Sequence, residues 1–389
     1  MKRSKNLSSL LFLKGAASGN NTHNSHLPGP APAPPQPQQS TIFPVLSFGA
    51  KGDGVSDDSK GQLWKSSGFK FLIQPITLNG SDRWNSLGSF KSKYLARIQF
   101  VQWINFKYAR NFTVQGTGIV DGQGSDWWNS QAQKRSKHTP DTKPTALRFY
   151  CSSDVTVRNI KIINSPQCHL KFDNSSWIKV NNITITSPDY SPNTDGIHLQ
   201  NTQNVEIHHS TIGCGDDCVS IQTGCSNVHI HHIKCGPGHG ISLGGLGKAG
   251  SVACVSNIIV TTFHFRILNQ ELGSRLGRGE GVREECIILH IQVSNVGVPI
   301  VIDQNYCDNM KKHLCQNQIR GAEPIRLACS NDTPCTDVDL IDIQLKPTTG
   351  DPRSLRSDLC RNSYGKSKAP LLPSVIDYCL RRDGVKSSI

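Results

Sequence analysis

A short strand-like pattern repeats along the middle of the chain at spacings of about two dozen residues. A polar residue, often Asn or Asp, precedes each apolar-x-apolar trio, and the spacings between successive trios are 23, 27, 23 and 30 residues. The trios begin at Val155, Ile178, Val205, Val228 and Ile258. Side chains two positions apart lie on the same face of a strand. A strand that recurs at this period, with turns between, is typical of a solenoid.

The repeat shows no helical periodicity, and this distinguishes a parallel β-helix from other repeat architectures. A leucine-rich repeat would add helical segments, and a sandwich or barrel would need hairpin-linked strands every 8–12 residues or so. The composition, with 34 Gly, 21 Pro and 18% charged residues, fits a turn-rich β protein. The sequence therefore predicts an all-β fold, a single-stranded right-handed parallel β-helix. We expect Asn side chains beside the strands to stack in ladders.

One composition break divides the chain. Residues 28–39 form a Pro-rich stretch that cannot pack a core, and no second break follows before residue 380. We therefore expect a Pro-rich disordered leader over residues 19–40 and one folded domain over residues 41–389. No run of eighteen apolar residues occurs, so we expect no membrane-spanning helix.

Several features favour secretion. Residues 1–18 resemble a weak signal peptide, with a basic start and a short apolar run that ends at Lys14. The chain has 14 Cys without repeated zinc-type spacing, which favours disulfides over a metal. Seven Asn-x-Ser/Thr sequons lie at Asn6, Asn20, Asn79, Asn111, Asn174, Asn182 and Asn331. We therefore expect a secreted protein that contains disulfides.

The net charge of +13 indicates which partners the surface attracts. A basic surface attracts polyanions, whether nucleic acid, an anionic membrane or an acidic polysaccharide. A general solubility bias explains the same charge. Nucleic acid is the less favoured partner, because the basic residues lack interleaved aromatics and belong to no nucleic-acid-binding module.

Carboxylates and imidazole concentrate in three short segments, residues 191–196, 215–218 and 236–240. Asp195 precedes Asp216 by 21 residues, and Asp216 precedes His239 by 23, so each step is about one coil of the repeat. Residues one coil apart lie on the same face, on rungs about 4.8 Å apart. The spacing therefore predicts one cluster of Asp195, Asp216, Asp217 and His239.

Such a cluster suits glycoside hydrolysis, which needs one protonated carboxylic acid and one ionised carboxylate. Crowded carboxylates cannot all ionise cheaply, so their pKa values separate. His239 could hold the acid in position or tune its pKa. Two alternatives stay open at this point: Asp and Asn that only cap turns, and a calcium-dependent lyase on the same fold. The lyase would not require a Gly-His-Gly one coil further on.

Two other patterns predict no site. Gly245–Gly250 matches a nucleotide-binding glycine pattern but lacks the strand–helix–strand setting that gives it meaning. Five histidines also cluster near two rungs, at His208, His209, His229, His231 and His232. Because strand alternation sends neighbours to opposite faces, we interpret these histidines as a solvated rung surface.

The three motifs Asn193-Thr194-Asp195, Gly215-Asp216-Asp217 and Gly238-His239-Gly240 resemble those of plant polygalacturonases in glycoside hydrolase family 28. Flanking segments such as residues 46–54, 196–199 and 302–307 extend the resemblance over most of residues 41–381. It implies a pectin-lyase-like β-helix, with polygalacturonate as the substrate and no metal or cofactor. It also implies extracellular location at the plant cell wall. We expect a monomer, with neither nucleic acid nor membrane as a partner.

The resemblance also assigns roles. The position of Asp216 is the general acid, and those of Asp195 and Asp217 activate water for an inverting attack. The position of His239 assists, and those of Asn193 and Tyr306 line the substrate site. Disulfides are implied at Cys218–Cys235, Cys307–Cys315, Cys329–Cys335 and Cys360–Cys379.

One family motif is missing. The Arg-Ile-Lys motif, whose Arg and Lys bind galacturonate carboxylates, is absent between residues 263 and 284, which read unlike a β-strand coil. Reading the codons of residues 272–280 from the third base of the first one allows Arg-Ile-Lys-Thr-Trp-Gln-Gly-Gly. We therefore hypothesise that residues 263–284 are translated out of frame. The alternative function is a catalytically impaired, pectin-binding relative.

Overall fold

Parallel pairing between strands of successive coils defines the architecture of this computed structural model. The structure describes residues 9–14, 53–57, 70–73, 75–79, 89–92, 102–128, 143–246, 254–266, 271–277, 283–294, 298–306, 325–329, 334–344, 359–372 and 380. One short helix, α1 (Ser125–Trp128), lies among the strands of this part of the chain.

The strands are short in the first half of the chain and longer in the second. Those of the first half are β1 (Ser9–Lys14), β2 (Asp53–Asp57), β3 (Lys70–Ile73), β4 (Ile76–Asn79), β5 (Ser89–Ser92), β6 (Gln102–Lys107), β7 (Arg110–Gln115), β8 (Ile119–Asp121), β9 (Thr145–Tyr150), β10 (Ser153–Arg158), β11 (Lys161–Ile163), β12 (Leu170–Asp173), β13 (Ser176–Asn181) and β14 (Thr184–Thr186). Those of the second half are β15 (Ile197–Gln200), β16 (Gln203–His208), β17 (Thr211–Gly213), β18 (Val219–Ile221), β19 (Ser226–Cys235), β20 (Ile241–Leu246), β21 (Cys254–Arg266), β22 (Glu271–Gly277), β23 (Arg283–Ser294), β24 (Val298–Tyr306), β25 (Ile325–Ala328), β26 (Cys335–Gln344), β27 (Leu359–Arg361) and β28 (Ser363–Leu372).

Two sheets form the walls of the solenoid. The 11-stranded sheet contains β4, β6, β9, β12, β15, β18, β20, β22, β24, β25 and β27, and the other 17 strands form the first sheet. Strands pair in parallel with their counterparts one coil away, except that β1 pairs antiparallel with β23 and β26. The predicted all-β parallel β-helix is confirmed.

The apolar trios found in the sequence lie in register across the first sheet. Val155 pairs with Ile178, Ile178 with Val205, Val205 with Val228, and Val228 with Ile258. All five side chains are buried. Burying a side chain of this size contributes about 1.5–3 kcal/mol relative to leaving it exposed. The repeat therefore fixes the register, because a slip of one residue would turn these side chains to the other face.

Rings stack along the second sheet in the same way. Phe106, Phe149 and Phe172 occupy paired positions of β6, β9 and β12. Their ring centroids are 4.8 Å and 5.2 Å apart, with interplanar angles of 11° and 12°. The separation matches the spacing of strands in a sheet, so each coil places its ring directly on the previous one.

The expected Asn ladders are present along the first sheet. Asn182, which follows β13, donates its side-chain amide to Asn159, which follows β10, at 2.8 Å. Within the strands β21, β19 and β16, Asn257 donates to Asn227 at 2.9 Å, and Asn227 donates to Asn204 at 3.0 Å. All five have φ values between 50° and 58°, in the left-handed region that Asn tolerates better than most residues. Each ladder therefore marks a left-handed backbone position that repeats at the same place on successive coils.

Two of the implied disulfides are confirmed, Cys218–Cys235 and Cys329–Cys335. Cys360 is also disulfide-bonded, whereas Cys379, its expected partner, lies outside the described residues. The implied pair Cys307–Cys315 likewise falls outside the residues whose side chains are described. The cysteines described as free are Cys151, Cys168, Cys214, Cys225 and Cys254.

Residues 271–277 form a strand although their sequence reads unlike one. This strand, β22, pairs in parallel with β20 on one side and β24 on the other. Its backbone therefore continues the second sheet through the segment that lacks the family motif. These residues form a strand despite their unusual sequence, because pairing with both neighbouring coils outweighs local propensity. Among the helices that the structure describes, none is long and apolar enough to cross a membrane.

Candidate active site

Three turns bring the predicted site residues together. Asp195, Asp217 and His239 each lie two residues before a strand of the second sheet, β15, β18 and β20 respectively. Residues paired across these strands are 22 positions apart, as Ile197 is from Val219. The same spacing separates position 195 from 217 and 217 from 239. The three residues therefore belong to one column. Of the four residues predicted to cluster, Asp216, Asp217 and His239 have ligand atoms within 4.8 Å of one another, and Asp195 is not in that group.

Asp216 occupies the most highly connected position of the cluster. Its Oδ1 lies 3.0 Å from Nδ1 of His239 and accepts the backbone N–H of Asp217 at 2.9 Å. Its Oδ2 accepts the side-chain amide of Asn193 at 3.3 Å. The side chains of Asp216 and His239 remain partly exposed, at 18% and 21%. A substrate can therefore reach the carboxyl group, which is held by neighbours on both oxygens.

Asp217 is more deeply set and has a different partner. Ser242, one coil further on in β20, donates its hydroxyl to Oδ2 of Asp217. Both residues are buried. A hydroxyl donor stabilises the ionised form of a carboxylate. Asp217 is therefore placed in the environment that a base requires, next to the partly exposed Asp216.

Asp195 is held from two sides. Its Oδ2 lies 3.3 Å from Nδ1 of His198. Its backbone carbonyl accepts a hydrogen bond from Nδ1 of His169 at 2.9 Å. Nε2 of His169 lies 2.7 Å from the Ser187 hydroxyl, and its ring is fully buried. Burial lowers the pKa of His169 to about 4, so its ring is neutral at neutral pH.

Small residues let the turns approach closely. A Cβ on Gly215 would lie 2.0 Å from the carbonyl oxygen of Ser191. A Cβ on Gly238 would lie 2.8 Å from the carbonyl oxygen of Asp216, and Gly238 has a φ of +152° that other residues rarely adopt. The glycines of the second and third motifs are therefore required by packing between the coils that carry the acidic residues.

A buried thiol lies under the acidic turn. The Cys214 thiol donates to the carbonyl of Asp216 at 3.2 Å. Burial raises the pKa of Cys214, so the thiol stays protonated and acts as a donor. Cys218, next to Asp217, is fixed by its disulfide to Cys235. Cys214 and Cys218 thus flank Asp216 and Asp217 in the sequence and restrain the turn that carries them.

The cluster does not fit a calcium ion. One ligand atom each from Asp216, Asp217 and His239 lies within 4.8 Å of the others. Calcium takes six to eight oxygen ligands or so. Here the third group is an imidazole, and both oxygens of Asp216 already face N–H groups. The arrangement suits proton transfer between neighbouring groups.

Sequence reasoning missed three supporting residues, and the predicted position of the Tyr306 side chain lies beyond what the structure describes. Ser242, His169 and His198 hold the carboxylates or their backbone, but each is a single residue without a spacing signal. Only His198 stood in a segment that resembled the family. Tyr306, expected to line the substrate site, ends β24, and its side chain lies outside the described residues.

The histidine cluster corrects one part of the sequence interpretation. The five histidines are exposed or partly exposed, as expected of a solvated surface, but neighbours do not point to opposite faces. The Nδ1 atoms of His208 and His209 are 2.8 Å apart, and those of His231 and His232 are 2.9 Å apart one coil later. Strand alternation does not separate these neighbours, because the second residue of each pair has a left-handed φ, 50° at His209 and 53° at His232.

A parallel β-helix that presents clustered carboxylates beside an imidazole defines the class of protein, a glycoside hydrolase. The family model described as "Glycosyl hydrolases family 28" matches residues 73–364. The chain belongs to glycosyl hydrolases family 28.

Named relatives agree with this assignment. The chain is 32% identical to Polygalacturonase-2 of Solanum lycopersicum, over 85% of this chain and 80% of that protein. It is 33% identical to Polygalacturonase QRT2 of Arabidopsis thaliana, over 85% and 84%. A solved exopolygalacturonase from Thermotoga maritima superimposes with a TM-score of 0.57 at 17% identity, covering 84% of this chain and 90% of that one. The structural likeness shows a shared fold.

Proposed function

We propose that the protein is a polygalacturonase that hydrolyses α-1,4-D-galacturonosidic linkages of pectate by an inverting acid–base mechanism. The observation that carries this proposal is the position of Asp216. Its carboxyl group is partly exposed, contacts His239 and Asn193, and lies beside the buried carboxylate of Asp217. Two neighbouring carboxyl groups in unequal surroundings are what glycoside hydrolysis requires.

In this mechanism Asp216 donates its proton to the glycosidic oxygen as the bond from that oxygen to C1 breaks. Asp195 and Asp217 remove a proton from a water molecule, whose oxygen bonds to C1 from the opposite face. The configuration at C1 is inverted, and one water is consumed for each linkage cleaved. His239, at 3.0 Å from the Asp216 carboxyl, assists the return of a proton to it.

The charge of the chain supports an acidic polymer as substrate. A net charge of +13 draws a polyanion toward the protein. Polygalacturonate carries one carboxylate per sugar unit, and the named relatives are polygalacturonases. We place the protein outside the cell, at the plant cell wall, as a monomer, in line with the sequons and disulfides of the chain.

The rival function is an impaired pectin-binding relative, because the Arg-Ile-Lys motif is absent from residues 263–284. Nothing in the described part of the chain or in its relatives favours that alternative. Sequencing the transcript across codons 260–293 tests the frameshift hypothesis directly. A transcript that encodes Arg-Ile-Lys-Thr-Trp-Gln-Gly in this interval is the expected result. A transcript that matches the printed residues would contradict the hypothesis.

An Asp216→Asn variant tests the catalytic proposal. Asn keeps the shape and a side-chain oxygen for the Asp217 backbone N–H but has no proton to donate to the leaving oxygen. Losing a general acid costs about 10²–10⁴-fold in rate. We expect release of reducing ends from polygalacturonate to fall by that factor, while binding to polygalacturonate persists.

A matched control is Asp154→Asn, which changes an exposed aspartate of the first sheet. It should keep the parent rate. Turnover in the Asp216→Asn variant at the parent rate would refute the assigned acid. A parent protein that binds polygalacturonate but never cleaves it would establish the pectin-binding alternative instead.

A further inference from the structure

A column of residues with a left-handed φ changes from asparagine to histidine along the first sheet. The column contains four residues at equivalent positions of successive coils. Asn159 follows β10, Asn182 follows β13, and His209 follows β16. His232 lies within β19. Their φ values are 58°, 50°, 50° and 53°. Asn182 donates to Asn159, as expected for a ladder. On the next two coils the same backbone position carries an imidazole ring.

The adjacent column carries histidine on the same two coils. His231 pairs with His208 across β19 and β16, and their rings stack at 5.0 Å with an interplanar angle of 5°. His209 and His232 stack at 4.6 Å and 4°. Four imidazoles therefore form a two-by-two block, with one nitrogen pair per coil in contact.

We propose that His209, His231 and His232 form a binding site for a divalent transition metal ion of the zinc and copper class. One ring nitrogen from each of the three lies within 4.8 Å of the others. His209 and His232 are exposed and His231 is partly buried, so an ion can enter from solvent. Imidazole is the protein ligand that zinc and copper share.

The nitrogen spacing is close to that of a bound ion. Tetrahedral zinc, with zinc–nitrogen distances of about 2.0–2.1 Å, separates two ligand nitrogens by roughly 3.3 Å. The Nδ1 atoms of His231 and His232 are 2.9 Å apart. Without an ion, one ring of this pair must donate and the other accept, which restricts their tautomers. A bound cation accepts the lone pairs of both nitrogens after a movement of roughly 0.4 Å. His209, whose ring stacks parallel to that of His232 at 4.6 Å, must turn about its side-chain torsions to direct a nitrogen at the same ion.

A carboxylate contacts the second ring nitrogen of one of the proposed ligands. Oε1 of Glu206 lies 3.3 Å from Nε2 of His231. A proton held on Nε2 by this contact leaves the Nδ1 lone pair of His231 directed at its partner ring. Metal-binding histidines commonly have such an outer carboxylate, which fixes the tautomer and raises ligand basicity. Glu206 is therefore a positioning residue of the proposed site.

The site is separate from the catalytic cluster. Its residues belong to β19 and to the turn after β16, which are in the first sheet. The catalytic turns precede β15, β18 and β20 of the second sheet. An ion bound to His209 and His232 would link two successive coils. We therefore expect the metal to raise thermal stability while the rate of hydrolysis stays unchanged.

Titration calorimetry of the full chain with Zn²⁺, after treatment with EDTA, tests the proposal. We expect a binding event that weakens at least 100-fold in a His209→Asn/His232→Asn variant. Asn is the residue that the preceding coils carry at this position with the same φ, so the variant should fold as the parent does. Its melting temperature in EDTA checks this. Zn²⁺ should raise the melting temperature of the parent but leave that of the variant unchanged.

Two further variants sharpen the result. His229→Asn changes an exposed histidine whose ring is tilted against that of His231, with centroids 4.5 Å apart, but which is not one of the three ligands. It should keep the parent affinity within about threefold. Glu206→Gln should weaken Zn²⁺ binding by roughly 10–100-fold, the usual effect of changing an outer partner. Mg²⁺, which prefers oxygen ligands, should produce no such event.

The Asp216→Asn variant distinguishes zinc bound at the histidines from zinc bound at the acidic cluster. Loss of the binding event in that variant would place the ion in the active site and overturn the proposal. Equal Zn²⁺ affinity in the parent and in the His209→Asn/His232→Asn variant would also overturn it. So would the absence of any Zn²⁺ binding by the parent.

Discussion

Replacing His169 by Gln should remove about 2 kcal/mol of the stability that the fold loses between pH 7 and pH 5. His169 is fully buried, and burial lowers its pKa from 6.5 to about 4. In the unfolded chain the same ring binds a proton near pH 6.5. Below that pH the unfolded state therefore holds more protons than the folded state, and folding loses stability as the pH falls toward 4.

The expected magnitude follows from the two pKa values. Above pH 7 both states are neutral at this position and the contribution is constant. Between pH 7 and pH 5 the ring costs about 2 kcal/mol of the free energy of unfolding, and about 3 kcal/mol once the pH is below 4. In the folded protein the protonated ring is disfavoured because burial removes it from water, and its Nε2 already accepts the backbone N–H of Ser165 at 3.4 Å.

Urea unfolding of the parent and of His169→Gln at pH 7 and pH 5, followed by tryptophan fluorescence, measures this contribution. The variant should be less stable at pH 7, because Gln does not fill the ring's place. Its disadvantage should shrink by about 2 kcal/mol at pH 5. Other titrating groups cancel in the difference between the two proteins. An unchanged difference between the two pH values would refute a neutral, buried His169.

Two more predictions follow from contacts around the acidic turn. Ser242→Ala removes the hydroxyl that donates a hydrogen bond to Asp217, so the kcat for hydrolysis of polygalacturonate should fall by about ten-fold to a hundred-fold. Ser220→Ala, at the paired position of the neighbouring coil, is the control and should leave kcat unchanged. Equal kcat values in the two variants would contradict the assigned hydrogen bond. Changing Cys218 and Cys235 to Ser removes a crosslink between residues 17 positions apart and should lower the free energy of unfolding by roughly 3 kcal/mol. Reductant should destabilise the parent by about 3 kcal/mol more than the variant, because the variant keeps the Cys329–Cys335 disulfide and has lost Cys218–Cys235; an equal effect of reductant on both proteins would contradict this.

The solenoid could be predicted because its signal is redundant. Apolar trios such as those at Val155 and Val228 recur often enough that their spacing alone indicates stacked strands, and the structure pairs them in that register. The clustering of Asp216, Asp217 and His239 followed from the same spacing. A period found in apolar residues thus locates polar residues that share it.

The residues that escaped prediction act without a period. His169 and Ser242 each hold one carboxylate or its backbone, and nothing in a single sequence separates them from other buried polar residues. The paired histidines were misread for another reason. Asn182 and His209 both have a left-handed φ, which Asn, Asp and His adopt more often than other residues, but the sequence analysis treated His209 as an ordinary strand residue and extended alternation one residue too far.

The register of 22 residues that aligns Asp195, Asp217 and His239 also governs when the enzyme first becomes active during folding. Each of the three groups belongs to a different coil. A folding intermediate with only one or two of these coils docked is therefore partly stable but cannot catalyse hydrolysis. Repeat proteins gain stability coil by coil through nearest-neighbour contacts. Hydrolysis therefore reports the docking of three coils at once. During refolding it should appear after fluorescence and circular dichroism have recovered most of their signal.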